Sequence, residues 1–88
     1  MSFDLHRAYR LNPVVAIRPE PFGALVYHFG NRRLTFLKSP LLVAVVRMLD
    51  SRVSAADALA AAGVPVPQQA RYAAALAALA DAEVIDAC

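Results

Sequence analysis

Cysteine is nearly absent from this chain: a single one, Cys88, stands at the last of 88 positions. One thiol excludes an internal disulfide framework and any cysteine-rich metal site. Glycine is scarce too. Gly23, Gly30 and Gly63 each sit at a turn or a helix end, so no glycine-rich phosphate loop can be assembled. Of the two histidines, His6 belongs to an N-terminal arm and His28 to a strand, and no Ser/His/Asp or Cys/His set can be built around either. The carboxylates are scattered. No stretch approaches the roughly 20 apolar residues that a bilayer span needs. The first ten residues include Asp4, His6, Arg7 and Arg10 and contain no signal-peptide apolar run. These absences point to a cytoplasmic, non-catalytic chain with no cofactor, no metal and no membrane partner.

What is present is apolar and unevenly charged. Hydrophobic residues make up 59% of the chain and mean hydropathy is +0.47, although alanine inflates both. The length suits one domain with one core, residues 1–88. In so small a unit, that apolar fraction suggests that some of the surface meets a partner. Residues 1–53 hold eight basic and three acidic side chains; residues 54–88 hold one basic and four acidic.

The stretch from Phe22 to Lys38 organises the rest. Two runs rich in β-branched and aromatic residues flank Gly30-Asn31, the signature of a hairpin with a two-residue turn. With Phe29 opposite Arg32, the register pairs Tyr27 with Leu34 and Leu25 with Phe36 on one face. His28 with Arg33, Val26 with Thr35 and Ala24 with Leu37 lie on the other. The first face is large and apolar and is expected to point at the core; the second, mixed face is expected to be half exposed. Val14–Arg18 reads as a preceding strand ended by Pro19 and Pro21, which makes a three-stranded meander with the hairpin's first strand in the middle. Residues 1–12 read as an arm or short turn packed on the sheet.

Three helices follow. Ser39-Pro40 is an N-cap followed by proline at the first helical position, opening a helix to about Asp50. Its apolar face, Leu41, Leu42, Val45, Val46 and Leu49, is the natural cover for the sheet. Ser54 and Asp57 form a capping-box variant opening an Ala-rich helix that stops at Gly63. Pro67 sits in the first turn of a last helix reaching about Ala82, and Val84-Ile85 gives a short extended tail. The fold class is therefore α+β: a three-stranded antiparallel sheet followed by three helices.

In this meander the strand from Arg32 to Leu37 has a free edge without proline or glycine. Its basic flanks, Arg32, Arg33 and Lys38, act either as gatekeepers against aggregation or as recruiters of an acidic extended peptide. The last helix is largely alanine, with Tyr72, Leu76 and Leu79 on one face; beside the free edge it would complete a shallow groove. Leu76 and Leu79 fit that wall or the plain core equally well. A winged-helix nucleic-acid-binding regulator is the alternative suggested by strands plus three helices and a pI near 9.1. It is disfavoured because the last helix offers Gln68, Gln69 and Arg71 and then ends acidic, which would repel phosphate.

The run from Tyr9 to Pro40, and within it Arg18-Pro-Glu-Pro-Phe-Gly-Ala-Leu-Val-Tyr-His-Phe-Gly followed by Arg-Arg-Leu-Thr-Phe-Leu-Lys-Ser-Pro, resembles the mycofactocin-system peptide chaperones. These are similar to the small chaperones of pyrroloquinoline-quinone biosynthesis, both being recognition elements for ribosomally made, modified peptides. The resemblance implies a winged helix-turn-helix-like fold whose partner is a precursor peptide with an acidic leader. The leader would dock as an extra strand between the third strand and the third helix. It also implies a second partner, a radical S-adenosylmethionine maturase that oxidatively decarboxylates the precursor's C-terminal tyrosine and cross-links it to the neighbouring valine. Carried onto this chain, the peptide-binding residues are Arg32, Arg33, Leu34, Thr35, Phe36, Leu37 and Lys38 on the strand. Arg71, Tyr72, Ala75, Leu76 and Leu79 lie on the helix. The open sheet edges would also allow dimerisation. No nucleic acid, membrane or cofactor is implied.

Overall fold

A computed structural model describes residues 3–51 and 54–87; Cys88, on which the thiol argument rests, lies outside them. The hairpin forms in the expected register. β3 (Gly23–His28) pairs antiparallel with β4 (Leu34–Leu37), Tyr27 opposite Leu34 and Leu25 opposite Phe36. β2 (Val15–Glu20) pairs on the other side of β3, giving the order β2-β3-β4 and leaving β4 as an edge. Pro19 does not end β2 but lies within it, opposite Ala24, on the sheet's other edge where a missing N–H is tolerated.

The turn differs from the two-residue form. The Arg32 N–H donates to the His28 carbonyl (2.8 Å) and the His28 N–H to the Arg33 carbonyl (3.0 Å), so the loop spans the four residues Phe29–Arg32. Arg32 closes it with φ of 62°, in the left-handed region. The His28 side chain holds the loop from within: its Nδ1 accepts from the amides of Gly30 (3.0 Å) and Asn31 (3.1 Å). A second acceptor, Asn31 Oδ1, takes the Arg33 N–H at 2.9 Å. The buried histidine thus has a structural post, satisfying amides that a four-residue loop leaves open.

The face assignment is reversed from expectation. Ala24, Val26, His28 and Leu37 are buried, whereas Leu34 is 60% and Phe36 55% exposed. The inner face receives α1 (Pro40–Met48), whose Val45 and Val46 are buried and which continues into a 3-10 turn at Leu49–Ser51. The chain is turned toward that face immediately after β4: a Cβ on Gly23 would lie 2.0 Å from the Leu37 carbonyl oxygen and 3.0 Å from the Ser39 nitrogen. Only a residue with no side chain lets the end of β4 cross so near the start of β3, and φ of +148° at Gly23 is itself glycine territory. Ser39 then caps α1 as expected, its Oγ accepting from the Leu42 N–H at 3.2 Å.

The helices finish as their caps dictate. Ser54 Oγ accepts from the Asp57 N–H and opens α2 (Ala55–Ala61). The N-terminal arm docks here rather than on the sheet: the carbonyls of Arg7 and Leu5 accept from the Ala55 and Ala56 N–H groups, which otherwise have no intrahelical partner. α2 ends with Gly63 in the left-handed region, the Gly63 N–H donating to Ala60 and the Val64 N–H to Leu59. α3 (Val66–Asp81) repeats that ending with Glu83 (φ 62°) in glycine's place, Glu83 donating to Ala80 and Val84 to Leu79. A left-handed conformation costs a residue with a Cβ about 1 kcal/mol or more. Glu83→Gly should therefore raise the unfolding free energy by about 1 kcal/mol, read as a higher urea midpoint at unchanged m-value.

One pairing was not foreseen. β1 (Tyr9–Leu11) and β5 (Ile85–Ala87) form a separate two-stranded sheet with Tyr9 opposite Ala87. It ties the arm and the tail together beside α3, and buries Tyr9 and Ile85 in the common core with Leu49, Leu59, Leu76 and Leu79. Among the described residues, no helix is long and apolar enough to cross a membrane.

Candidate functional site

β4 leaves main-chain groups and large apolar side chains on the surface together. The His28–Arg33 contact sets the phase of the ladder, since opposite residues alternate between hydrogen-bonded and non-hydrogen-bonded pairs. Val26–Thr35 and Ala24–Leu37 are therefore hydrogen-bonded pairs, their N–H and C=O groups turned inward to β3. Tyr27–Leu34 and Leu25–Phe36 are not, so the N–H and C=O groups of Leu34 and Phe36 project from the free edge. Two residues two apart, each offering a donor and an acceptor, are the unit to which an antiparallel or parallel strand adds.

Two shallow depressions meet at Lys38, immediately after β4. One, of about 170 Å³, is lined by Lys38, Ser39, Leu42, Arg71, Tyr72 and Ala75. It joins the end of β4 to α3, and Ser39 Oγ and the Tyr72 hydroxyl, 3.1 Å apart, pin the two walls. Arg71 reaches over the Tyr72 ring at 5.8 Å, which places a guanidinium at the rim. The other depression lies on the sheet's outer face, bounded by Phe22, Phe36 and Lys38. Lys38 borders both.

The site is basic. Arg18–Glu20 is the only ion pair among the described residues, and Arg32, Arg33, Lys38 and Arg71 take part in none. Those four exposed cations surround β4 and the near end of α3, while no group of three or more metal-ligating side chains converges among the described residues.

Several predicted site residues therefore come together and others do not. Lys38, Arg71, Tyr72 and Ala75 line one depression, and Leu34 and Phe36 hold the edge. Leu34 and Phe36, expected to belong to the core, are on the surface. Leu37, expected on the mixed face, is 1% exposed and is core. Thr35 points the same way as Leu37, toward the helices, and is half buried. Leu76 and Leu79 are buried core residues on the inner side of α3 and do not line the depression. Arg32 and Arg33 flank the loop end of the edge. Sequence reasoning missed Ser39 and Leu42, both assigned wholly to building α1, and Phe22. The signal for Phe22 was available: a large aromatic between proline and glycine in a turn has no strand or helix to bury it.

The sequence profile of the peptide chaperone MftB family matches residues 8–86. The chain belongs to that family. It is similar to the peptide chaperone MftB of Mycobacterium ulcerans, 48% identical over 84 residues that cover 96% of this chain and 77% of the relative. The peptide chaperone MftB of Mycolicibacterium smegmatis is 48% identical over 85 residues, 97% of this chain and 83% of that one. That of Mycobacterium tuberculosis is 47% identical over 84 residues, 96% and 77%. No solved structure matches the chain.

Proposed function

We propose that this chain is a non-catalytic leader-peptide chaperone of mycofactocin biosynthesis. It takes up the leader of the ribosomally made precursor as an added strand on β4 and presents it to the radical S-adenosylmethionine maturase. The observation that carries the reading is the free edge of β4, with the main-chain groups of Leu34 and Phe36 facing outward beside a depression walled by Tyr72 and Ala75. Main-chain bonding tolerates variation in the ligand's sequence; the flanking cations select for acidic side chains. The sheet-then-helices order supports a winged-helix-like reading of the fold. The regulator reading finds no support at α3, whose exposed face carries Arg71 as its one cation and no lysine.

Residue-specific amide shifts during titration of labelled protein with the precursor peptide test the reading. Leu34, Phe36, Arg71, Tyr72 and Ala75 should move, and perturbations confined to β2 would refute it. Charge supplies a second check. Arg32→Glu combined with Arg33→Glu should weaken the peptide about ten-fold at low salt, at about 1 kcal/mol or less per exposed charge. The difference should shrink as salt is added, with the thermal midpoint little changed, because neither side chain is packed. Equal affinities in calorimetry would remove the electrostatic part of the proposal.

A further inference from the structure

We infer that the outer face of the sheet at Phe22 and Phe36 is a second specificity pocket for the bound strand. It accepts a large apolar side chain that points away from the helices, with a carboxylate beside it for Lys38. This rests on strand addition at β4 and deepens it. An added strand continues the pleat, so its successive side chains fall alternately on the two faces of the sheet. One row would enter the depression of Leu42, Tyr72 and Ala75. The other must lie over Leu34 and Phe36, whose side chains share the outward face.

That face is built for an occupant. Phe22 is 43% and Phe36 55% exposed, and their rings meet edge to face with centroids 6.1 Å apart, so both are held without being covered. Lys38, exposed and in no ion pair among the described residues, closes the same depression. The depression is continuous with the free edge, because Phe36 supplies both its wall and an outward N–H. An aromatic pair with a cation at its margin matches an extended peptide carrying an apolar side chain and an adjacent acid; a second copy of this basic edge would bring Lys38 against like charge. The ligand is thus read on both faces, which requires apolar residues at adjacent positions and not the alternation of a one-faced strand.

The test is a double-mutant cycle by calorimetry, using the synthetic precursor peptide and its single alanine variants against wild-type protein and Phe22→Ser. Phe22 lies in a turn and is exposed, so its replacement leaves the fold intact, and the peptide-side scan on wild-type protein is independent of folding altogether. Phe22→Ser should weaken the unsubstituted peptide about ten-fold. At least one apolar peptide position should lose most of its alanine effect in that variant, while a neighbouring position keeps its own. If every peptide position is as sensitive in Phe22→Ser as in wild type, the pocket is not used. If Phe22→Ser alters only sedimentation, converting a dimer to monomer at unchanged affinity, the face is an interface between copies and the inference is overturned. Failure of the underlying reading looks different: the peptide would bind without shifting the Leu34 and Phe36 amides, or would not bind the wild-type protein.

Discussion

Phe36→Pro should lose peptide binding by ten-fold or more beyond whatever Phe36→Ala loses, with the fold retained in both. The alternation fixed by the His28–Arg33 contact turns the Phe36 N–H away from β3 and toward the open edge. Proline there removes a donor that the sheet does not use, and its ring occupies the line along which a partner strand would approach. Alanine keeps the N–H and removes only the aromatic ring, so the difference between the two variants isolates the main-chain contribution. One hydrogen bond of about 0.5–1.5 kcal/mol plus the obstruction gives the ten-fold figure. Thr35→Pro is the informative opposite. The Thr35 N–H faces Val26, so that change breaks the ladder inside the sheet, leaves a carbonyl on β3 unpaired and should depress the urea midpoint itself. Binding by Phe36→Pro equal to that by Phe36→Ala would mean the ligand does not add to β4.

Gly23→Ala should be the most destabilising single substitution outside the hydrophobic core, at about 3–5 kcal/mol. The added Cβ would lie 2.0 Å from the Leu37 carbonyl oxygen, a backbone atom that can yield only by moving β4. The φ of +148° adds a conformation that alanine does not accept. Ser39 follows two residues after Leu37, so a displaced β4 also disturbs the cap of α1 and the Ser39–Tyr72 contact that pins α3. Denaturant unfolding with Phe22→Ala as the neighbouring control separates this from a general effect of the turn. An unchanged midpoint for Gly23→Ala would mean that the close crossing of β3 and β4 is not what holds the hairpin to the helices. The two predictions bear on one strand: β4 is fastened at the end where Gly23 sits and by His28 at its loop end.

Much of this was legible from local chemistry. Ser39-Pro40, Ser54 with Asp57, and Gly63 place helix boundaries because caps are settled within four or five residues of sequence. The hairpin register is equally local: the runs flanking Gly30-Asn31 admit one pairing that aligns them. The number of residues in the turn was not legible, because it is the His28 Nδ1, accepting two loop amides, that stabilises a four-residue loop. The β1–β5 pairing joins positions more than 70 apart, and three-residue strands have too little pattern to announce a partner. Within the candidate site, the free edge and its cations were visible in the sequence. Which α3 residues line it was not, since Tyr72, Leu76 and Leu79 share one helical face and only packing separates the rim from the core.

By itself the sequence determined the three-stranded meander, the three helices after it and the register of β3 with β4, all consequences of short-range propensity and side-chain inventory. Which face of the sheet is buried was decided only by the tertiary structure. Size argued for burying Leu25, Tyr27, Leu34 and Phe36. The helices instead took the face of Ala24, Val26, His28 and Leu37, where the close crossing at Gly23 lets the chain turn from β4 into α1. Burial follows from where the covering layer can go, and not from hydrophobicity alone. The aromatic face left outside is the surplus that a self-sufficient fold would have covered, and it lies along the edge where a ligand strand would bind.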